Sequence, residues 1–275
     1  MYHKESSLAA LIIAFIFTVG LLPSEAQNLE QSKSVFDEKS RSEARDLWEK
    51  VVEAKGGRSK ILSIKNIVVS SEGSFRQNFH EYKIRLEDLY VFPNKWWSWN
   101  DHRPSIFGLR TKMYDWTANR KYVVTDGDPI FRGLQDFEST DSKSTNFAGA
   151  TPDLLLETKW NAPIPERVYF IKYRGKKTRA IQTSLLSSRI DFILDEKSLL
   201  PVQTVYYSAD GSQTKSSFSN YVEIYGIKMP STVIFEGQDG NMRYSKKYQF
   251  NVDFDENIFK SPPPFEKGPK GWQRN

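Results

Sequence analysis

The feature that most constrains the fold is a long succession of short strand-like segments between residues 67 and 251. They are rich in valine, isoleucine, threonine and tyrosine, and several alternate apolar and polar residues, which is typical of half-buried strands. Tight reversals are predicted at Asp210-Gly211, Tyr225-Gly226 and Asp239-Gly240, so the strands should be antiparallel. The predicted strands are 67–76, 81–88, 95–100, 110–116, 121–125, 167–173, 178–183, 189–194, 202–208, 214–225, 228–236 and 242–251.

One amphipathic helix is predicted before the strands. Apolar residues at positions 44, 47, 48, 51 and 52 form a single stripe at the helical period. Ser40 or Ser42 can cap its beginning, and Gly56-Gly57 supplies the positive φ that ends it. The chain is therefore predicted to be mostly β, of the α+β class, with a helix packed on an antiparallel sheet.

The run of strands is interrupted between residues 126 and 165. This stretch is rich in Gly, Ser, Thr, Asp and Pro, and it contains one short predicted helix, 152–159, which Thr151 caps and Pro152 opens. A connection of this length inside a domain is usually functional or disordered. We expect it to fold over the mouth of the sheet as a lid.

The first 26 residues have the three parts of a secretory signal. A polar start with Lys4 precedes an apolar run from Leu8 to Leu22, and small residues stand at the −3 and −1 positions of a cut after Ala26. The alternative is an uncleaved membrane anchor, but the run is shorter than the roughly 20 residues that span a bilayer. The predicted divisions are a signal peptide (1–26), a flexible lead-in (27–39), one domain (40–260) and a Pro/Lys-rich tail (261–275).

The residue inventory argues against metal and thiol chemistry. The chain has no cysteine and three histidines, of which His3 lies in the predicted signal. Zinc sites need several such ligands held together, so we predict no metal and no cofactor. His102 beside Asp101 resembles half of a catalytic triad, but no nucleophile motif accompanies it. A carboxylate pair for glycoside hydrolysis stays open, although no particular pair stands out.

The 39 basic and 34 acidic residues are interspersed along the chain, and we expect them to form no basic block. This pattern favours a soluble, mixed-charge surface over a polyanion-binding one, so no nucleic-acid partner is expected. The prediction is that the protein is not an enzyme.

Aromatic residues provide a more informative signal. Trp96, Trp97 and Trp99 crowd one predicted strand, and at period two Trp97 and Trp99 share a face while Trp96 points the other way. Tyr114 and Trp116 form a similar pair nearby. Each of these rings either fills the core between sheet and helix or lines a cavity for an apolar ligand.

The order of these features resembles that of the periplasmic lipoprotein carrier family (LolA/LolB-like). The resemblance rests on residues 92–97 (FPNKWW), 150–156 (ATPDLLL), 190–201, 221–230 with Gly226 and Pro230, and 259–263 (FKSPP). It covers most of the chain after the signal. The family's Asp-Gly-Lys turn ahead of a tryptophan strand is absent, and residues 107–110 (FGLR) stand there instead.

The resemblance implies a curved antiparallel sheet, or incomplete β-barrel, wrapped around the N-terminal helix, with a short lid helix. It also implies a periplasmic carrier or binding protein that shelters a lipid or lipoprotein acyl chain and makes transient membrane contact. Two alternatives remain, an envelope protein-interaction or sensor module with a protein partner, and an envelope glycan hydrolase. The predicted ligand-binding residues are Phe92, Trp97, Trp99, Tyr114, Trp116, Leu154, Leu155, Ile190, Phe192 and Leu194.

Overall fold

The computed structural model describes residues 37–77, 80–103, 108–115, 120–126, 133–138, 163–185, 188–207, 211–237 and 240–260. All of these belong to one unit of the chain, Phe36–Asn275. Neither α-helix in this part of the chain is long and apolar enough to cross a membrane. The predicted signal peptide and the predicted tail after residue 260 lie outside the described residues, so these divisions stay predictions.

Helix α1 spans Glu38–Lys55 and begins earlier than the predicted serine caps allow. Its N-cap is Asp37, whose carboxylate accepts a hydrogen bond from the backbone amide of Ser40 at 2.7 Å. The serine prediction was wrong because an aspartate already lies one turn upstream, where its charge also favours the positive end of the helix dipole. The buried side is the predicted apolar stripe.

The end of α1 confirms the predicted glycine stop. Gly56 has a φ of 141°, and a Cβ added there would lie 2.9 Å from the Cα of Ile227. A side chain at this position would therefore force the helix end away from the strand that it meets. After Gly57 the chain forms a short second helix, α2 (Arg58–Ser63), where only a turn was predicted.

The strands form one sheet of thirteen within the described residues, in the order β6-β5-β4-β3-β2-β1-β13-β12-β11-β10-β9-β8-β7. All neighbouring pairs are antiparallel, so the predicted mostly-β class and the curved, open sheet with an N-terminal helix are confirmed. The strands are β1 (Asn66–Gln77), β2 (His80–Val91), β3 (Lys95–Asp101), β4 (Leu109–Asp115), β5 (Arg120–Asp126), β6 (Gly133–Glu138), β7 (Ile164–Tyr173), β8 (Lys176–Leu185), β9 (Ser188–Leu194), β10 (Pro201–Tyr207), β11 (Gln213–Ile224), β12 (Ile227–Gly237) and β13 (Gly240–Phe250).

The centre of the sheet joins the first strand to the last. β1 pairs with β13 from Ile67↔Phe250 to Phe75↔Met242. Asn66 closes this pairing, because its side-chain amide donates to the carbonyl of Val252 at 3.0 Å and its Oδ1 accepts from the Val252 amide at 2.8 Å. Every other neighbouring pair consists of strands that are consecutive along the chain.

The predicted interruption between residues 126 and 165 was wrong in part, because strand β6 lies inside it. This strand pairs with β5 inside that stretch and forms one end of the sheet. Its sequence, GLQDFE, has a glycine and two acids and only two large apolar residues, so its pattern is weak. The predicted lid helix at 152–159 lies outside the described residues, as do Asp210 and Asp239 of the predicted Asp-Gly turns. The reversal at Tyr225-Gly226 is confirmed, with positive φ at both residues.

One face of the sheet, here called the helix face, carries α1, which packs on β7, β8 and β12. Its apolar cluster runs from the helix across both halves of the sheet. Members of the cluster on α1 are Ala44, Leu47, Trp48, Val51 and Val52, and members on the strands include Ile67, Val69, Tyr90, Trp96, Tyr114, Ile181, Ile190, Phe192, Leu194, Met229, Tyr248 and Phe250.

The opposite face of the β1–β4 half has its own apolar cluster. It contains Val68, Leu89, Trp97, Trp99, Leu109, Met113 and Phe259. Phe259 comes from a C-terminal 3-10 helix, Glu256–Phe259, that packs on β3 and β4. Lys95 holds this helix in place, since its Nζ lies 3.0 Å from the carboxylate of Glu256 and 5.3 Å from the ring centre of Phe259.

The opposite face of the β7–β10 half centres on a buried carboxylate, Asp191. Its Oδ2 accepts hydrogen bonds from the hydroxyls of Tyr169, at 2.5 Å, and Tyr207, at 3.1 Å. Arg189 donates to both carboxylate oxygens, at 2.8 and 2.5 Å, and its guanidinium lies 4.3 Å from the ring centre of Tyr207. These bonds satisfy a charge that would otherwise be costly to bury.

Candidate functional site

The structure divides the predicted ligand-binding residues between the two faces of the sheet. Trp97 and Trp99 do share a face, as predicted, but it is the opposite face, because Trp97 pairs with Leu89 while its neighbour Trp96 pairs with Tyr90 of the helix-face cluster. The predicted residues on the helix face are Phe92, Tyr114, Ile190, Phe192 and Leu194. The predicted residues that lie outside the described part of the chain are Trp116, Leu154 and Leu155.

An aromatic row crosses β2, β3 and β4 on the helix face. The rings of Tyr90 and Trp96 are stacked with centroids 6.1 Å apart, and those of Trp96 and Tyr114 with centroids 5.0 Å apart. Each pair is directly opposed in the strand register. Phe92 packs against the same cluster. The row therefore continues the apolar surface under α1 toward the β6 end of the sheet.

Polar side chains occupy the next positions along the same face. Asp88 is buried and accepts a hydrogen bond from the indole nitrogen of Trp96 at 3.1 Å. Burial raises the pKa of Asp88, against the lowering effect of bonds to Ser98 and Trp96 and of the charges of Lys246 and Lys112. The aromatic row thus ends at a carboxylate whose ionised form is disfavoured by its surroundings.

The positive charges of two lysines act on this carboxylate. Lys246 is buried, with 7% of its side chain exposed, and lies opposite Ser71 on β1. On β4, Lys112 places its Nζ 5.8 Å from the ring centre of Trp96, and Arg110 lies two residues away on the same face. Burial lowers the pKa of Arg110. We call Asp88, Arg110, Lys112 and Lys246 the polar cluster.

A tyrosine, Tyr244, and a histidine, His102, border the polar cluster. Burial and the charge of Asp88 raise the pKa of Tyr244 to about 12. Burial, followed by the positive charges of Arg110 and Lys112, lowers the pKa of His102 to about 4. His102 is therefore neutral at pH 7 but, because its pKa lies far below 7, it is a weak base, which does not favour the resemblance of the Asp101–His102 pair to a triad. Asp101 itself is bound by Arg103 and Arg85, whose hydrogen bonds outweigh burial and lower its pKa to about 2.

Replacement of His102 by glutamine should reduce the acid sensitivity of the protein. Because the folded-state pKa of His102, about 4, is below its ordinary value of 6.5, His102 contributes stability above pH 6.5 that is lost as the pH falls toward 4. We expect the melting temperature of the His102→Gln variant to fall less between pH 7 and pH 4.5 than that of the wild type. Equal losses in the two proteins would contradict the assignment. Asp101 does not interfere, since its contribution is lost only below its ordinary pKa of 3.8.

Chemically, this part of the helix face consists of a buried aromatic row beside a cluster of one carboxylate and three cationic side chains. Within the described residues, no three His, Asp or Glu side chains lie close enough to hold a metal ion. Sequence reasoning missed Trp96, Lys112 and Lys246 as site residues. Trp96 had been assigned correctly to the face that Trp97 does not share. The available signal for Lys246 was its position as the one polar residue in an otherwise apolar set of alternate residues on β13, namely Met242, Tyr244, Tyr248 and Phe250.

No protein-family model matches the chain and no curated protein matches it in sequence, but its fold is similar to those of several solved structures. An outer membrane lipoprotein-sorting protein domain from Vibrio parahaemolyticus aligns with a TM-score of 0.52 and 11% identity over 80% of this chain and 97% of its own. A LolA superfamily protein from Nitrosomonas europaea aligns with a TM-score of 0.52 and 13% identity, over 79% and 97%. A DUF1329 family protein from Desulfovibrio piger gives 0.50 and 12%, over 78% and 96%. These likenesses confirm the predicted resemblance at the level of the fold.

Proposed function

We propose that the protein is an exported carrier or binding protein that holds the acyl chain of a lipid or lipoprotein on the helix face. The observation that carries this proposal is the aromatic row Tyr90–Trp96–Tyr114, which extends the apolar cluster beyond the strands that α1 covers. Rows of aromatic side chains on a curved sheet are suited to long apolar ligands. The lipoprotein-sorting name of one protein of similar fold, from Vibrio parahaemolyticus, agrees with it. The predicted signal peptide, with cleavage after Ala26, would bring the protein to the cell envelope.

Burial of an acyl chain supplies enough free energy for binding. Each CH₂ group that leaves water contributes about 0.8 kcal/mol, so about ten methylenes contribute roughly 8 kcal/mol before costs. The loss of translational freedom and the ordering of side chains take several kcal/mol of this sum. Micromolar affinity is the expected result. Affinity should increase about fourfold for each methylene added, as long as the added group is buried.

The neighbouring residues Trp96 and Trp97 provide a matched test of the binding face. They are adjacent on β3, both are buried, and they point to opposite faces. We expect Trp96→Phe to weaken the binding of saturated fatty acids about tenfold. Trp97→Phe should change that affinity less than about twofold and instead lower stability by about 1–2 kcal/mol. Isothermal titration calorimetry with a series of chain lengths, together with urea unfolding, measures both quantities.

Two experimental results would contradict parts of this proposal. If no fatty acid binds and no lipid is extracted from protein purified from its native host, the acyl-chain function is wrong. Equal weakening by Trp96→Phe and Trp97→Phe would move the site away from the helix face.

One observation favours a protein-interaction module as the second candidate. The β7–β8 hairpin at the sheet edge is strongly basic, since Lys172, Arg174, Lys176 and Lys177 fall within six residues, which corrects the expectation that the charges form no basic block. Phe170 on β7 is 59% exposed, and the Nζ of Lys177 lies 4.3 Å from its ring centre. An acidic segment of an envelope protein is the partner that this hairpin fits. A glycan hydrolase has no comparable support.

A further inference from the structure

We propose that the tip of the β7–β8 hairpin docks on an anionic lipid membrane. The hairpin tip is defined here by one exposed aromatic residue and four exposed cations, namely Phe170, Lys172, Arg174, Lys176 and Lys177. This surface lies outside the acyl-chain site, and its assignment does not depend on that site. The partner of the hairpin is then lipid, whereas the second candidate function gives it an acidic protein segment.

The first argument is the excess of positive charge. The sequence from 167 to 190 contains seven basic residues and no acidic residue. On the neighbouring turn after β9, Glu196 is paired with Arg179 at 2.8 Å, and Asp195 binds backbone amides of its own turn and is reached by the charge of Lys176. Within the part of the chain that the structure describes, the four cations of the hairpin tip form no ion pair. Their charge is therefore available to an anionic partner.

The second argument is the register of the hairpin. Lys172 on β7 and Lys177 on β8 are directly opposed, and both are exposed. Like charges in directly opposed positions destabilise a sheet. The repulsion is relieved when phosphate groups lie beside the two ammonium groups. The pair therefore favours an anionic surface over water.

The third argument is the position of the aromatic rings. Phe170 is 59% exposed, and its ring centre lies 4.3 Å from the Nζ of Lys177. The ring of Tyr173 lies 5.2 Å from the guanidinium of Arg174. At a membrane surface such rings enter the head-group region while the neighbouring cations stay with the phosphates. Charge and apolar area would thus act on the same partner.

Protection of the sheet edge does not account for these residues. Lysines on an edge strand often serve to prevent pairing with other chains. Strand β8, however, is paired with β7 on one side and β9 on the other, and it carries Lys176 and Lys177. An exposed phenylalanine on the edge strand β7 would increase the risk of association rather than reduce it. The composition of the hairpin tip therefore indicates a partner.

The shape of the hairpin tip favours a membrane over a peptide. Lys176 and Lys177 are consecutive on a strand, so their side chains point to opposite faces of the hairpin. Arg174 stands in the turn between the strands. A Cβ added at Gly175 would meet no described atom within 4 Å, so the turn projects from its surroundings. A peptide laid along one face would reach only part of this charge, whereas a membrane can contact the whole tip.

Sedimentation with lipid vesicles tests the proposal on the whole purified protein. The vesicles consist of phosphatidylcholine alone or with about 30% of the anionic lipid phosphatidylglycerol. We expect at least about tenfold tighter binding to the anionic vesicles, and this preference should fall steeply as the salt concentration is raised. Equal binding to the two kinds of vesicle, or none to either, overturns the proposal.

Variants then locate the contact. The double variant Lys172→Gln/Lys177→Gln should bind the anionic vesicles about 25-fold more weakly, since each lysine near such a surface contributes about fivefold. The matched control, Lys83→Gln/Lys247→Gln, removes the same charge from two exposed positions on β2 and β13 and should weaken binding less than about twofold. Phe170→Ala should weaken binding about fivefold at low and at high salt, because it removes apolar contact rather than charge. Melting temperatures verify that the variants are folded.

The outcomes separate this inference from both candidate functions. Equal weakening by the two double variants overturns it, because the charge of the hairpin tip would then have no special role. Binding of a glutamate-rich peptide, lost in Lys172→Gln/Lys177→Gln, by a protein that binds no vesicles overturns it in favour of the acidic protein segment. Vesicle binding by a protein that binds no fatty acid in calorimetry leaves it standing and removes the acyl-chain function. Fatty-acid binding without vesicle binding does the reverse.

Discussion

Replacement of Trp97 by alanine is expected to lower the free energy of unfolding by about 3–5 kcal/mol, which is typical of a large aromatic side chain removed from a core. Trp97 is fully buried, with 0% of its surface exposed, and it packs among Leu89, Met113 and Phe259. The cavity cannot close easily, because strands β2, β3 and β4 hold the surrounding backbone in register. Urea unfolding followed by circular dichroism measures the effect.

An exposed aromatic residue provides the control for Trp97. Tyr225 lies at a hairpin turn with 77% of its surface exposed, so Tyr225→Ala should change stability by less than about 1 kcal/mol. If Trp97→Ala were as mild as Tyr225→Ala, the packing of the C-terminal 3-10 helix over the opposite face would be wrong. Loss of acyl-chain binding without loss of stability would return Trp97 to the binding site, where the sequence reasoning had placed it.

Replacement of Asp191 by alanine is expected to destabilise the protein by about 3–5 kcal/mol. Only 1% of its side chain is exposed, and its loss leaves the guanidinium of Arg189 and the hydroxyls of Tyr169 and Tyr207 without their acceptor. Asp191→Asn retains one acceptor oxygen but not the charge, so it should cost about half as much. Chemical denaturation of the three proteins at pH 7 provides the comparison.

The control for Asp191 is an exposed carboxylate of the same type. Asp253→Ala, just after β13, should change stability by less than about 0.5 kcal/mol. A mild effect of Asp191→Ala, close to that of Asp253→Ala, would mean that solvent satisfies the tyrosines and Arg189 and that the network is not cooperative.

Most of the fold could be predicted because its signals are local. The apolar residues between positions 44 and 52 recur at the period of an α-helix, and these side chains are buried in α1. Ile190, Phe192 and Leu194 occupy alternate positions of one strand, and β9 places them on the helix face. Strand β6 could not be predicted in the same way, because its sequence has few large apolar side chains and it gains its structure from pairing with β5.

The candidate site was harder to predict, because alternation shows that a strand has two faces but not what covers each one. Trp97 and Trp99 were predicted to share a face, and they do. That this face is closed by Phe259, more than 150 residues later in the chain, depends on a long-range contact that no local pattern reveals. Lys246 was not predicted as a site residue, because a lysine usually indicates a solvent-exposed position.

The pairing of β1 with β13 has a consequence for how the protein is made. Asn66 and Val252, which close the centre of the sheet, are 186 residues apart. The first strand to leave the ribosome therefore lacks one of its two neighbours until almost the whole chain has been synthesised. Long-range pairings of this kind form slowly. The strand order itself therefore delays completion of the centre of the sheet until strand β13 has been synthesised.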